Sequence, residues 1–127
     1  MPPPETFESA EAFYSVLFHE LSHSTGATSR LAREGVTDPQ RFGNHEYSKE
    51  ELIAEMSAAF LRAYAQIDCE SLMDLSASYL ASWLRVLRKD SRMVVFAAAA
   101  AQKAVDHIRD VKTAQEAEAT TELELAA

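Results

Sequence analysis

His19-Glu20-Leu21-Ser22-His23, an HExxH pentapeptide inside the apolar-rich run Ser9 to Thr25, carries its chemistry in its spacing. On a helix, two histidines four positions apart project from nearly the same side, about 6 Å apart along the axis, so both imidazoles can reach one ion. The pattern reads as a Zn2+ site, with a merely solvated histidine pair as the alternative. Glu20, one step round, would sit beside the open position of the metal. There it can take a proton from a bound water whose pKa zinc lowers to about 7. At about 100° per residue, Phe13, Tyr14, Val16, Leu17, Phe18 and Leu21 gather on one broad arc, and His19 and His23 point roughly the other way. The expectation is a helix with its apolar arc on the core and its histidines off it.

Such a site needs a third protein ligand. The extended pattern HExxHxxGxxH would put a histidine at position 29, where this chain has Ser29. Gly26 is then expected to end the first helix in a left-handed conformation. A second helix over Ser48 to Gln66 offers a carboxylate instead. Leu52, Ile53, Met56, Ala59, Phe60 and Ala63 mark its apolar face, while Glu51, Glu55 and Arg62 share another. Glu51 is the expected third ligand, and Glu55, one turn on, is expected to hold a ligand histidine by its other ring nitrogen. Ser48 and Glu51 also fit a capping box, which needs no metal. His45, in the preceding polar stretch, is the competing ligand.

Composition sets the frame. With 127 residues, 47% of them hydrophobic, the chain is long enough for one domain with a core of its own. Helices are expected at about Ser9 to Thr25, Ser48 to Gln66, Ser71 or Ser78 to Arg88, and Ser91 to Asp110, with little or no sheet. Tyr79, Leu80, Trp83, Leu84 and Leu87 read as core. Gly26 to Tyr47 reads as a long loop bordering the metal. The domain is expected to span 1–112, with 113–127 an acidic, disordered tail. Cys69 is the only cysteine, which excludes an internal disulfide and fits a reducing, cytoplasmic setting. No apolar run is long enough to span a membrane, and no secretory signal is visible. The net charge of −8 argues against direct nucleic-acid binding by this piece. Arg85, Arg88, Lys89 and Arg92 form a local basic group better read as a solvated helix end.

The run Phe7 to Ile108 resembles the zincin-like metallopeptidase domain of ArdC-type antirestriction proteins and related polyvalent proteins of plasmids and phages. The likeness is carried by HELSH at 19–23, Thr25-Gly26, Ser29-Arg30-Leu31, Arg41-Phe42-Gly43, Glu50 to Glu55, Phe60-Leu61, and Tyr79-Leu80 with Trp83-Leu84. The resemblance implies a mainly α zincin-like fold, with His19 and His23 as zinc ligands, Glu20 as catalytic acid/base and the EELIAE helix as source of the third ligand. This chain departs from the commoner pattern at Ser24, often Trp, and Ala27, often His. The resemblance also implies an upstream single-stranded-DNA-binding domain and a substrate-holding sheet, both expected to lie outside this sequence. Two functions follow as expectations: a gluzincin-type metallopeptidase acting on a peptide or protein, or a catalytically inert metal-binding module that protects incoming DNA with its partner domain. Tyr47 and His45 are candidates by position alone for stabilising an oxyanion.

Overall fold

Ser9 starts the motif helix, its Oγ accepting a hydrogen bond from the Ala12 N–H at 3.1 Å and so satisfying one of the first-turn donors. The computed structural model describes residues 1–38, 43–67, 84, 87–111 and 114–126. After a short 3-10 turn, Pro4–Thr6, come α1 (Ala10–Ser24), α2 (Glu34–Thr37), α3 (Gly43–Ala65), α4 (Arg92–Ile108) and α5 (Ala114–Ala126). Among the described residues there is no strand, in keeping with the expected mainly α zincin-like domain. No helix among them is long and apolar enough to cross a membrane.

Helix α3 is the centre, packed against α1 on one side and α4 on another. The α3–α4 seam is built from small residues that let two backbones approach: Ala54, Ala58, Ala97, Ala101 and Ala104 are fully buried. Ser57 is buried with them and donates to the Ile53 carbonyl at 2.7 Å, so its hydroxyl is not left unpaired. Leu52, Ile53, Met93 and Ala97 form the apolar cluster, with Met56, Leu87 and Ala100 around it. Both helices end in a left-handed residue, Gln66 (φ 57°) and Asp110 (φ 56°). In each case the next N–H reaches back to close the turn, Ile67 to the Arg62 carbonyl at 3.0 Å and Val111 to that of Asp106 at 2.8 Å. Arg109 lies 3.8 Å over the Tyr64 ring, joining the two ends.

Several sequence expectations are corrected. The second helix starts at Gly43, not Ser48, so Ser48 lies inside it and the capping-box reading falls. That start also removes residues 43–47 from the expected loop, and α2 removes four more. Ala59 and Ala63 are exposed rather than on the buried face of α3. Residues 114–126, expected to be disordered, are helical, with Leu123 and Leu125 exposed. The third expected helix lies outside the described residues apart from Leu84, Leu87 and Arg88, as do Cys69, Arg85 and the core candidates Tyr79, Leu80 and Trp83, while Leu84 is exposed rather than core.

Helix α1 keeps only part of the expected arrangement, with Phe13, Leu17 and Phe18 half-buried. Tyr14, Val16 and Leu21 are exposed, whereas Ser22 is fully buried and His19 and His23 turn inward toward α3. The α3 carboxylates face this side of α1, and pairing them with imidazoles draws the histidine face inward. Phe7, Phe13, Tyr14 and Phe18 instead stack on one another, with centroids 5.3–6.1 Å apart.

Gly26 is needed for space, not for a left-handed turn. Helix α1 is closed by Thr25 in the right-handed region, and a Cβ on Gly26 would stand 2.5 Å from Val36 Cγ2 and 3.1 Å from Arg33 Nη2. Gly26→Ala is expected to destabilise the chain by about 1–3 kcal/mol through overpacking. Urea unfolding of the two proteins checks this, and equal midpoints would contradict it.

Candidate metal centre

The facing turns of α1 and α3 bring three side chains, two imidazoles and one carboxylate, to one point. His19 Nε2 lies 3.3 Å from Glu51 Oε2, and His23 Nε2 lies 3.1 Å from Glu51 Oε1. The two Nε2 atoms are 3.0 Å apart. The donors of a tetrahedral ion with bonds of about 2.05 Å stand about 3.3 Å apart, and those of an octahedral ion with bonds of about 2.1 Å stand about 3.0 Å apart. The three observed separations cover that range, so His19, His23 and Glu51 could hold a divalent cation with little movement. Their side chains are 15%, 23% and 25% exposed, which leaves the cluster open to water on one side. Glu20 follows His19 and is exposed.

Each histidine has a carboxylate behind it. His19 Nδ1 lies 2.7 Å from Glu55 Oε1, close enough for an ion pair but not aligned as a hydrogen bond. His23 Nδ1 meets Glu50 Oε1 at 3.1 Å. Sequence reasoning missed Glu50, because it lies about 100° round the helix from Glu51. It missed Arg33 as well, whose Nε and Nη2 grip the Glu50 carboxylate at 2.9 and 2.7 Å. One signal was available for Glu50: it is a second carboxylate immediately beside Glu51 in the sequence. For Arg33 there was none before the 26–38 loop was seen to fold back. The side chains of His45 and Tyr47 lie outside the described residues.

The charges follow the geometry. Burial works against protonation of His19, but its contacts with Glu51 and then Glu55 raise it to about 10. Bonds to Glu50 and Glu51 raise His23 to about 9 against the cost of burial. The two histidines hold Glu51 down at about 2, against the opposing effect of its burial. Burial works against ionising Glu50, but the Arg33 fork and then His23 keep its pKa below the ordinary value. Each Nε2 faces its own Glu51 oxygen, so the carboxylate favours a proton on both rings. A cation between these nitrogens and Glu51 would displace the protons held there.

A groove of about 510 Å3 opens beside the site, lined by Leu31, Lys49, Ile53, Phe96 and Lys103. It reaches the cluster only through Arg33 and Glu50, which also line it, and not through the three candidate donors.

Solved structures place the fold among known ones. The chain superposes on the crystal structure of the antirestriction ArdC protein from the R388 plasmid in its Mn(II)-bound form, with a TM-score of 0.67 and 41% identity over 87% of this chain and 40% of that one. The metal-free form of that protein matches at 0.65. An uncharacterized protein of Sinorhizobium fredii, y4eC, is 40% identical over 84% of this chain and 33% of its own length. DNA primase TraC of Escherichia coli is 35% identical over 96% of this chain but only 11% of its own length. The chain thus spans a third or less of the curated relatives it matches. A zincin-like metallopeptidase model matches residues 1–101, a span that holds α1, α3 and most of α4, and the chain belongs to that family.

Proposed function

We propose that this chain is a metal-dependent peptidase-type domain of an antirestriction-like protein, with Zn2+ as its working ion. In this reading His19, His23 and Glu51 are the ligands, Glu20 is the acid/base, and Glu55 orients His19. The observation that carries it is the convergence of two imidazoles and one carboxylate at 3.0–3.3 Å, a spacing that suits one ion. The Mn(II)-bound ArdC structure supports a divalent cation in this fold.

A bound divalent cation supplies Lewis acidity, acidifying water and polarising a carbonyl in its open position. The chain's residues do the rest. His23 presents Nε2 because its Nδ1 is engaged by Glu50, and the Glu55 carboxylate stands 2.7 Å behind the Nδ1 of His19. Glu51 offsets the charge of the ion. Glu20, exposed and adjacent to His19, takes a proton from the attacking water and returns it to the departing amine. The substrate is a peptide or protein.

A second reading is a non-hydrolytic module. It is favoured by the recurrence of this segment in a primase of which it covers 11%, and by the absence of any strand among the described residues that could hold an extended peptide. In that reading the domain protects incoming DNA together with a single-stranded-DNA-binding partner domain. Glu20→Gln separates the two. For a peptidase, hydrolysis by the full-length protein is expected to fall by about 100-fold or more with metal content unchanged, and antirestriction to fall with it. Unchanged protection by the variant would contradict the peptidase reading.

A further inference from the structure

We propose that Arg33 and Glu50 form a positioning relay that fixes the ring of His23, so that the order of the 26–38 loop and the affinity of the metal centre depend on each other. The inference rests on the metal reading of the site above and extends it to Arg33 and the loop that carries it, to which that reading gives no part.

The relay is built from atoms with little freedom. Glu50 is nearly buried, its side chain 5% exposed, on a helix turn adjacent to Glu51. Its Oε1 takes two contacts, His23 Nδ1 at 3.1 Å and Arg33 Nη2 at 2.7 Å, and its Oε2 accepts from Arg33 Nε at 2.9 Å. Two parallel N–H bonds to one carboxylate set both its position and its plane. Arg33 is itself held from α1: Nη1 donates to Thr25 Oγ1 at 2.7 Å and Nη2 to the Ser22 carbonyl at 2.7 Å. Ser22 and Thr25 bracket His23 in the last turn of α1. One loop guanidinium therefore ties the turn that carries His23 to the carboxylate that orients it.

The consequence is chemical. With Nδ1–H held by Glu50, His23 is confined to the tautomer that leaves the Nε2 lone pair free for an ion. Four of the five guanidinium N–H groups are used, two of them as a parallel fork, which an ammonium group cannot reproduce. His19 is less firmly held, since Glu55 is 20% exposed and shows no arginine fork among the described residues. Arg33 and Glu50 touch no candidate donor atom, so they act through His23 as positioning residues.

The test is competitive Zn(II) titration against a chromophoric chelator on the whole chain, with nitrogen-15 spectra of the histidine rings. Glu50→Ala and Arg33→Ala are each expected to weaken Zn(II) binding by about 10–100-fold. Both should shift the His23 Nδ1 signal while leaving that of His19 in place. The double variant is expected to bind no worse than Glu50→Ala alone, because Arg33 acts through Glu50. Arg33→Lys, which keeps the charge and lacks the fork, is the variant to use if Arg33→Ala does not fold, and it should also bind more weakly. Folded variants that lose only thermal stability, with wild-type affinity and an unmoved His23 signal, would overturn the relay. A wild-type chain that binds no Zn(II) would overturn the metal reading and the relay together.

Discussion

Saturating the chain with Zn(II) is expected to raise its melting temperature by about 10 °C at pH 7.5, and a chelator should reverse the gain. A ligand bound only by the folded form at 100 times its dissociation constant adds about 2.7 kcal/mol, and each kcal/mol moves the midpoint of a domain this size by about 3–5 °C. The donors sit on two helices, α1 and α3, that only folding brings together across the intervening segment, so an unfolded chain has no comparable site. The gain should also depend on pH with a definite sign. In the metal-free chain, His19 and His23 have pKa values raised to about 10 and about 9, above their ordinary value. The stability they contribute is fully present below about pH 6.5 and is lost as pH rises through 9–10. Glu51, lowered to about 2, contributes stability that is present above about pH 4.5 and lost as pH falls through about 2. Metal must displace the histidine protons, so its affinity climbs with pH while the metal-free chain weakens. The difference in melting temperature between loaded and chelated protein is therefore expected to widen from pH 6 to pH 9. Scanning calorimetry at three pH values checks this, and a difference that is flat or narrows would contradict it.

Replacement of any one of the three candidate ligands should have the other large effect. His23→Ala or Glu51→Ala is expected to reduce metal affinity by more than the 10–100-fold typical of losing an outer partner, since a direct bond to the ion is removed. The thermal gain from Zn(II) should then vanish at concentrations that saturate wild type. Without metal, the two substitutions differ. Glu51→Ala leaves His19 and His23 facing each other at 3.0 Å with the shared carboxylate gone, so their protons should be released at lower pH. His23→Ala leaves Glu50 its Arg33 fork but removes one of the two partners that hold Glu51 down. Metal analysis after dialysis distinguishes these proteins from wild type, and full retention of metal by either variant would contradict the assignment.

How much of this was legible in the sequence depends on which interaction each residue obeys. The spacing of His19 and His23, and of Glu51 and Glu55, is a local property of a helix, so periodicity alone could group them. The facing of α1 was misread because periodicity finds an apolar arc without knowing what the neighbouring helix presents. Leu21 and Val16 lost the inward position to histidines that α3 could pair. Gly26 was misread for a similar reason. A glycine after a helix suggests a left-handed cap, whereas here the constraint is Val36 from the far end of the loop, 2.5 Å from where a side chain would begin. Arg33 lies ten residues beyond His23, in a segment with no periodicity, and its role exists only once the loop returns to the last turn of α1. Contacts within one helix could be read from spacing, and those made by a returning loop could not.

The central claim, that one cation is shared by His19, His23 and Glu51, is tested most directly by anomalous diffraction from crystals grown with Zn(II). The account predicts a single strong peak within about 2.0–2.2 Å of both Nε2 atoms and of a Glu51 carboxylate oxygen. A peak at other residues, or none with the three side chains in place, would contradict it.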